Sequence, residues 1–191
     1  ASKSALRAAE LSRAMLVYAG QGVRQKKRME LDRLVREQLS GIRAEFQGNV
    51  RLEVDLPPGG PVVFIDPADF RQVLSTLCTN AWEAIGGADG LVRISVASVR
   101  HAGDIPGSRF TTGPVSDGPW ACLKVIDTGI GMDNQTMDRI FDPFFSTKFT
   151  GRGLGLPVAQ GIVRHYGGAI HVHSHPGQGT TVSVLFPAAK T

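Results

Sequence analysis

Four clusters of the 191-residue chain combine reactive side-chain types with spacings that could bring them to one place. The first lies in an apolar, helix-like stretch, where Asn80 stands amid Leu77, Ala81, Ala84 and Ile85. An amide on such a surface needs partners. It is either a capping or core-satisfied asparagine or an oxygen ligand for a hard cation such as Mg²⁺, which takes few protein ligands and keeps waters and phosphates. The second cluster is Asp127-Thr128-Gly129-Ile130-Gly131-Met132, placed directly after an apolar run. A carboxylate at a strand end accepts from an exocyclic amine such as adenine N6, and flanking glycines let a ligand approach the backbone; a plain turn with two left-handed glycines has the same pattern. The third is Phe141-Asp142-Pro143-Phe144-Phe145-Ser146-Thr147-Lys148. It is either a hydrophobic loop anchor with a solvated lysine, or a segment whose Lys148 reaches a phosphate as a point charge. The fourth, Gly151-Arg152-Gly153-Leu154-Gly155-Leu156, opens a helical pattern and would present backbone N–H groups and the positive helix end to an anion. No βαβ pattern precedes it, which disfavours a dinucleotide fold.

These clusters need a scaffold. The spacing of Leu6, Leu11, Met15 and Tyr18 predicts a helix from Ser4 to about Arg28, and Asp32 is placed as the N-cap of a second helix carrying Leu34, Val35, Leu39 and Ile42. Gly48 and Asn49 would end it. Strands are expected at Val50–Val54 and Val62–Ile65, separated by Pro57-Pro58-Gly59-Gly60-Pro61. A helix from Pro67 to about Ile85 turns Phe70, Val73, Leu74, Leu77, Ala81 and Ile85 inward. Further strands are expected at Leu91–Val99 and Trp120–Ile126, with residues 101–119 as a long surface loop and 127–155 irregular. A helix over Leu154–Tyr166 and a hairpin of 169–174 with 180–186 complete an α+β chain, with helices on one face of a mixed sheet.

Composition narrows the options. With 42% hydrophobic and 20% charged residues the chain affords a core. No apolar run approaches the roughly 18–20 residues of a membrane span. The opening ASKSALRAAE has no Met and no apolar core, so it is not a secretory signal and looks like a fragment boundary. Two cysteines, Cys78 and Cys122, exclude a disulfide scaffold and a cysteine zinc site and suit buried thiols in a reducing, cytoplasmic setting. The net charge of +4 is uneven: residues 1–48 hold 10 Lys and Arg against 5 Asp and Glu, whereas residues 49–191 hold 11 against 12. The basic excess is a helix face rather than a nucleic-acid footprint.

Taken together and in this order, the four clusters resemble the ATP-binding catalytic domain of two-component sensor histidine kinases, within the wider superfamily of gyrase, Hsp90 and MutL. Asn80 matches the N box, Asp127–Met132 the first glycine box, Phe141–Lys148 the F box, Gly151–Leu156 the second glycine box, and Gly177-Gln178-Gly179-Thr180-Thr181 the closing hairpin. The similarity spans about residues 30–188. It implies a two-layer Bergerat-type sandwich with ATP between a helix layer and a lid of about Asp142–Arg152. Asn80 would chelate Mg²⁺, and Asp127 would accept from adenine N6 with Gly129 and Gly131 admitting the base. Lys148, Gly151, Arg152, Gly153, Leu154 and Gly155 would line the phosphates, and Thr181 would help hold adenine. The family's chemistry is γ-phosphoryl transfer to a histidine, achieved by positioning and charge neutralisation.

Departures qualify the resemblance. Thr76 stands four residues before Asn80, where the ATPase branches carry a carboxylate base. Glu83, one turn after Asn80, is a candidate general base or supporting group, and equally a solvated carboxylate. Arg152 replaces a small residue and either touches the γ-phosphate or faces solvent. None of the five histidines, His101, His165, His171, His173 and His175, lies in the N-terminal helical region. His171, His173 and His175 alternate on one strand without the carboxylate or cysteine that a metal site would add. The resemblance implies that residues 1–28 are the second helix of a dimerisation hairpin lacking its acceptor helix, and 29–191 the catalytic domain. Expected partners are a response-regulator receiver domain and a second copy joined through the N-terminal helices, with neither nucleic acid nor a membrane segment. Two other readings are a degenerate, non-catalytic adaptor and a serine kinase of the anti-sigma-factor type.

Overall fold

A computed structural model describes residues 25–46, 49–100, 110–112, 118–148 and 153–189. In chain order the elements are β1 (Lys27–Glu30), α1 (Leu31–Glu45), β2 (Val50–Asp55), β3 (Val62–Ile65), α2 (Pro67–Ile85), β4 (Gly90–Val99), β5 (Phe110–Thr112), β6 (Trp120–Asp127), α3 (Asn134–Met137), α4 (Gly155–His165), β7 (Ala169–Ser174) and β8 (Thr180–Pro187). Six strands form one mixed sheet in the order β2-β4-β6-β8-β7-β5. β2 and β4 are parallel and the other pairs antiparallel.

The helices share one face of this sheet. Leu34, Val35, Phe70, Leu74, Ile162 and Val163 from the helices meet Ile94, Leu123, Ile170 and Val184 from the strands in one buried core. The alternation along β6 sends Leu123 and Val125 into it, and Trp120 and Cys122 to a smaller cluster with Ala169 and Leu185. The expected mixed sheet with helices on one face is therefore the observed architecture.

α2 matches the sequence expectation because its ends carry local signals. Asp66 caps it, accepting from Ala68 N at 2.9 Å, Pro67 starts it, and Gly86 stops it at φ 66°. All six residues assigned to its inner face are buried.

Four expectations need correction. Lys27 and Arg28 do not continue a helix: they pair with Ile65 and Phe64 in the β1–β3 ribbon. Asp32 is not a cap. Glu30 occupies the N-cap without a side-chain bond, and Asp32 sits buried in the first turn, where the helix dipole favours a carboxylate. The region assigned to a long loop contains β5, which pairs with β7, and the irregular region after Asp127 contains α3, capped by Asp133. The predicted N-terminal helix falls, apart from its last residues, outside the described residues.

Candidate nucleotide site

Asp127 ends an interior strand and is 7% exposed. Its side chain folds back on its own turn. Oδ1 accepts from Gly129 N at 2.8 Å and from Thr180 N on β8 at 3.2 Å, leaving Oδ2 without a partner among the described residues. Burial pushes this carboxyl above the ordinary value of 3.8, while the two N–H donors and the Lys148 ammonium pull the other way. Thr128 fixes the turn on β4: Leu91 N donates to Thr128 Oγ1 at 3.0 Å, and Thr128 N donates to Leu91 O at 3.2 Å. The result is a carboxylate with one oxygen locked and one oxygen open.

The glycines of this turn have a packing reason of their own. A Cβ on Gly129 would lie 2.6 Å from the carbonyl of Ala84 on α2. Gly131, at φ 65°, would bring one to 1.9 Å from the His175 carbonyl oxygen. Ile130 N donates to Ala84 O at 3.0 Å and Gly177 N donates to Ile130 O at 2.7 Å, so the turn is pinned between α2 and the β7–β8 hairpin.

α2 supplies the facing wall. Thr76, Asn80 and Glu83 recur four and three residues apart and so share one helix face. Thr76 is buried, Asn80 half-buried and Glu83 exposed. Asn80 has no side-chain partner among the described residues. Glu83 Oε2 pairs with Lys148 Nζ at 2.5 Å, which joins the Phe-rich segment to α2. In that segment Phe141 is buried and Phe145 lies under the Arg139 guanidinium, 4.2 Å from ring centre. Phe144 adopts φ 70° and is 60% exposed, and its N–H donates to Gly153 O at 2.8 Å. That bond draws together the two ends of the segment 145–152.

α4 begins beside this wall. Its N-cap, Leu154, offers no side-chain acceptor, so the first-turn N–H groups keep the positive helix end open. A Cβ on Gly155 would sit 3.1 Å from Thr76 Cγ2, which places the α4 start one turn from Asn80 along α2. Gly151 and Arg152 lie outside the described residues.

The structure thus brings together Asp127, Gly129 and Gly131, Asn80, Glu83 and Lys148, and Gly153, Leu154 and Gly155. It does not bring Thr181 there. Thr180 is opposite Asp127 and on its face of the sheet, whereas Thr181 is opposite Ile126 and His173 on the face away from the helices. Strand alternation carried the signal: Thr180 has the parity of Val184 and Phe186, which enter the main core. Sequence reasoning also missed Ser174. Met132 N donates to its Oγ at 2.9 Å, Ser174 Oγ donates to Gly179 O at 2.9 Å, and Thr180 Oγ1 lies 3.0 Å away. His171 and His173 are on the outer face with Thr181, His171 buried and its pKa lowered by burial. Among the described residues no group of three His, Cys, Asp or Glu is placed to hold a metal.

Comparison with known proteins gives the chain's kinship. The family model described as histidine kinase-, DNA gyrase B-, and HSP90-like ATPase matches residues 65–190. The sensor protein FixL of Bradyrhizobium diazoefficiens is 29% identical over 190 residues, 99% of this chain and 34% of FixL. The signal transduction histidine-protein kinase AtoS of Escherichia coli is 34% identical over 154 residues, 81% of this chain and 22% of AtoS. The chain thus spans about a third or less of the length of these curated relatives. Among solved structures, full-length ShkA in complex with AMPPNP aligns with a TM-score of 0.68 and 24% identity, covering 99% of this chain and 37% of that one. The nucleotide-free catalytic domain of the histidine kinase ThkA aligns with a TM-score of 0.64 and 24% identity, covering 85% and 95%. Those two likenesses show the fold, and the family match, which covers well over half of the chain, shows the kinship. The chain belongs to the histidine kinase-, DNA gyrase B- and HSP90-like ATPase family.

Proposed function

We propose that this chain is the Mg-ATP-binding part of a two-component sensor histidine kinase and supplies the γ-phosphoryl group to an acceptor histidine. The observation that carries the reading is Asp127, buried, with Oδ1 held by two backbone N–H groups and Oδ2 open. Such an oxygen is an acceptor only, and adenine N6 is a donor. Guanine has a carbonyl at the same position and would meet the carboxylate with a second acceptor.

The residues present fit a magnesium ion of the nucleotide-bound kind. Asn80 offers a half-buried amide without a competing partner among the described residues, and Glu83 lies one turn on. Among the described residues no group of three His, Cys, Asp or Glu forms a cage, and an ion held largely by phosphates and water needs none. When bound, the ion would neutralise phosphate charge. Asn80 would hold it, the α4 start would receive phosphate oxygens through N–H groups, and Lys148 would add a point charge. Transfer then rests on alignment rather than on covalent chemistry by the protein. Of the four described histidines, His171 and His173 are on the far sheet face, His165 ends α4 and His175 lies in the β7–β8 turn; none is on a dimerisation helix, so the acceptor is sought elsewhere. A receiver domain would take the phosphoryl group next.

The test is a titration with ATP and GTP in the presence of Mg²⁺, followed by incubation with γ-labelled ATP and a separately supplied acceptor-histidine hairpin. The expected result is binding of ATP at least about tenfold tighter than GTP, and label on the hairpin histidine. Equal binding of both nucleotides would overturn the adenine assignment. Label on serine would favour the serine-kinase reading, and nucleotide binding without any transfer would favour the adaptor.

A further inference from the structure

The ion pair between Glu83 and Lys148 bears on which form of the nucleotide the site accepts, an inference that rests on the nucleotide reading above. Among the described residues, two carboxylates, Asp127 and Glu83, and one ammonium, Lys148, stand around the site. Lys148 is in contact with Glu83 and near enough to Asp127 to make that carboxyl more acidic. The side chains of Glu83 and Lys148 are 37% and 34% exposed, so the pair sits on the rim, partly shielded from water and salt. Glu83 follows Asn80 by three residues on α2, so its charge lies at the end of the site where phosphates would meet a cation-binding amide.

A free nucleoside triphosphate brings several negative charges to that rim. To bind it, Lys148 must either stay with Glu83 and contribute nothing, or leave and expose an uncompensated carboxylate to the phosphates. A divalent cation removes a large part of the incoming charge and can itself satisfy Glu83 through its water. The carboxylate then ceases to be a penalty and the lysine is free to move. We propose that Glu83 is a specificity-determining residue that, by engaging Lys148, makes the site discriminate the metal-complexed nucleotide from the free polyanion.

The test is calorimetric titration of the full chain with ATP, once with excess Mg²⁺ and once with a chelator. It compares the native chain with Glu83→Gln, Lys148→Met and the double variant, each checked for its melting temperature. For Glu83→Gln the affinity for free ATP is expected to rise about tenfold and that for Mg-ATP to rise less or to fall, so the preference for the metal complex shrinks. Lys148→Met should weaken free ATP most, because Glu83 is left unpaired, and the double variant should recover part of that loss. Recovery on removing a second side chain is a readout that a merely structural role would not produce. If Glu83→Gln does not fold, Glu83→Asp serves: it keeps the charge but shortens the reach to Lys148, and free ATP should bind more weakly than to the native chain. An unchanged preference in Glu83→Gln, or no recovery in the double variant, overturns the inference while leaving the nucleotide site standing. A native chain that binds neither form overturns the nucleotide reading itself, and the inference with it.

Discussion

Asp127 is subject to opposing demands. Its burial disfavours the charged form, and its two backbone N–H donors favour it; burial dominates, and the pKa is raised above 3.8. A raised folded-state pKa means that the folded protein binds the proton more tightly than the unfolded chain. Its stabilising contribution is full below the unfolded value and is lost as pH rises through the folded one. At neutral pH the ionised Asp127 therefore costs stability, and it is retained against that cost. The prediction is that Asp127→Asn melts at the same temperature or a few degrees higher at pH 7, because the amide oxygen can still accept from Gly129 and Thr180. Nucleotide binding should meanwhile weaken on the order of 100-fold, because the amide nitrogen would then face the adenine amine donor to donor. In the native chain, ATP affinity should decline on acidification at a pH above the ordinary aspartate range, as the acceptor is protonated. Thermal melts and titrations across pH check both. The residue scale is also where sequence reasoning came closest and slipped by one. Asp127 and Asn80 were legible because their neighbours are so different from them in polarity. Thr180 was passed over for Thr181 because two threonines in succession differ only by the face they present, which the β6–β8 register decides.

At the scale of elements, legibility followed the range of the interaction. α2 was readable to within a residue because Asp66, Pro67 and Gly86 signal its ends locally and its apolar residues have one period. β1 was not, because Lys27–Glu30 is a strand only through its pairing with β3, more than 30 residues away. Asp32 was misassigned because a first-turn acid and an N-cap acid look alike in sequence. β5 is three residues long and owes its existence to β7. α2 also gives a prediction that separates scaffold from site. Asp66 accepts from Ala68 N and from Gln25 N, both at 2.9 Å, at the end of α2 remote from Asn80. Asp66→Ala should cost about 1 kcal/mol, a fall of about 2–4 °C in melting temperature, with the Mg-ATP dissociation constant unchanged within about twofold. Loss of binding by a folded Asp66→Ala would mean that α2 shifts as a body and that the site depends on its far end.

At the scale of the molecule, the sheet order places Asp127 where three elements converge: the end of an interior strand, the C-terminal end of α2 through Ala84, and the β7–β8 hairpin through Thr180. A site made this way is assembled only in the folded domain, which is why the clusters lie 80 to 180 residues along the chain yet meet. The sequence also assigns an amphipathic stripe to residues outside the described ones, Leu6, Leu11, Met15 and Tyr18. Such a stripe lacks a core of its own. Sedimentation should show reversible self-association of the full chain that is lost on removing residues 1–24, with ATP affinity retained; a monomer in both cases would place the stripe against its own domain. No helix of the described residues is long and apolar enough to cross a membrane.

One titration tests the nucleotide site most directly: the native chain and Asp127→Asn with ATP, each with and without Mg²⁺. The expected result is saturable, Mg²⁺-dependent binding in roughly the micromolar range by the native chain, reduced on the order of 100-fold in Asp127→Asn. No saturation by the native chain at millimolar ATP, or the same affinity in both proteins, would contradict it.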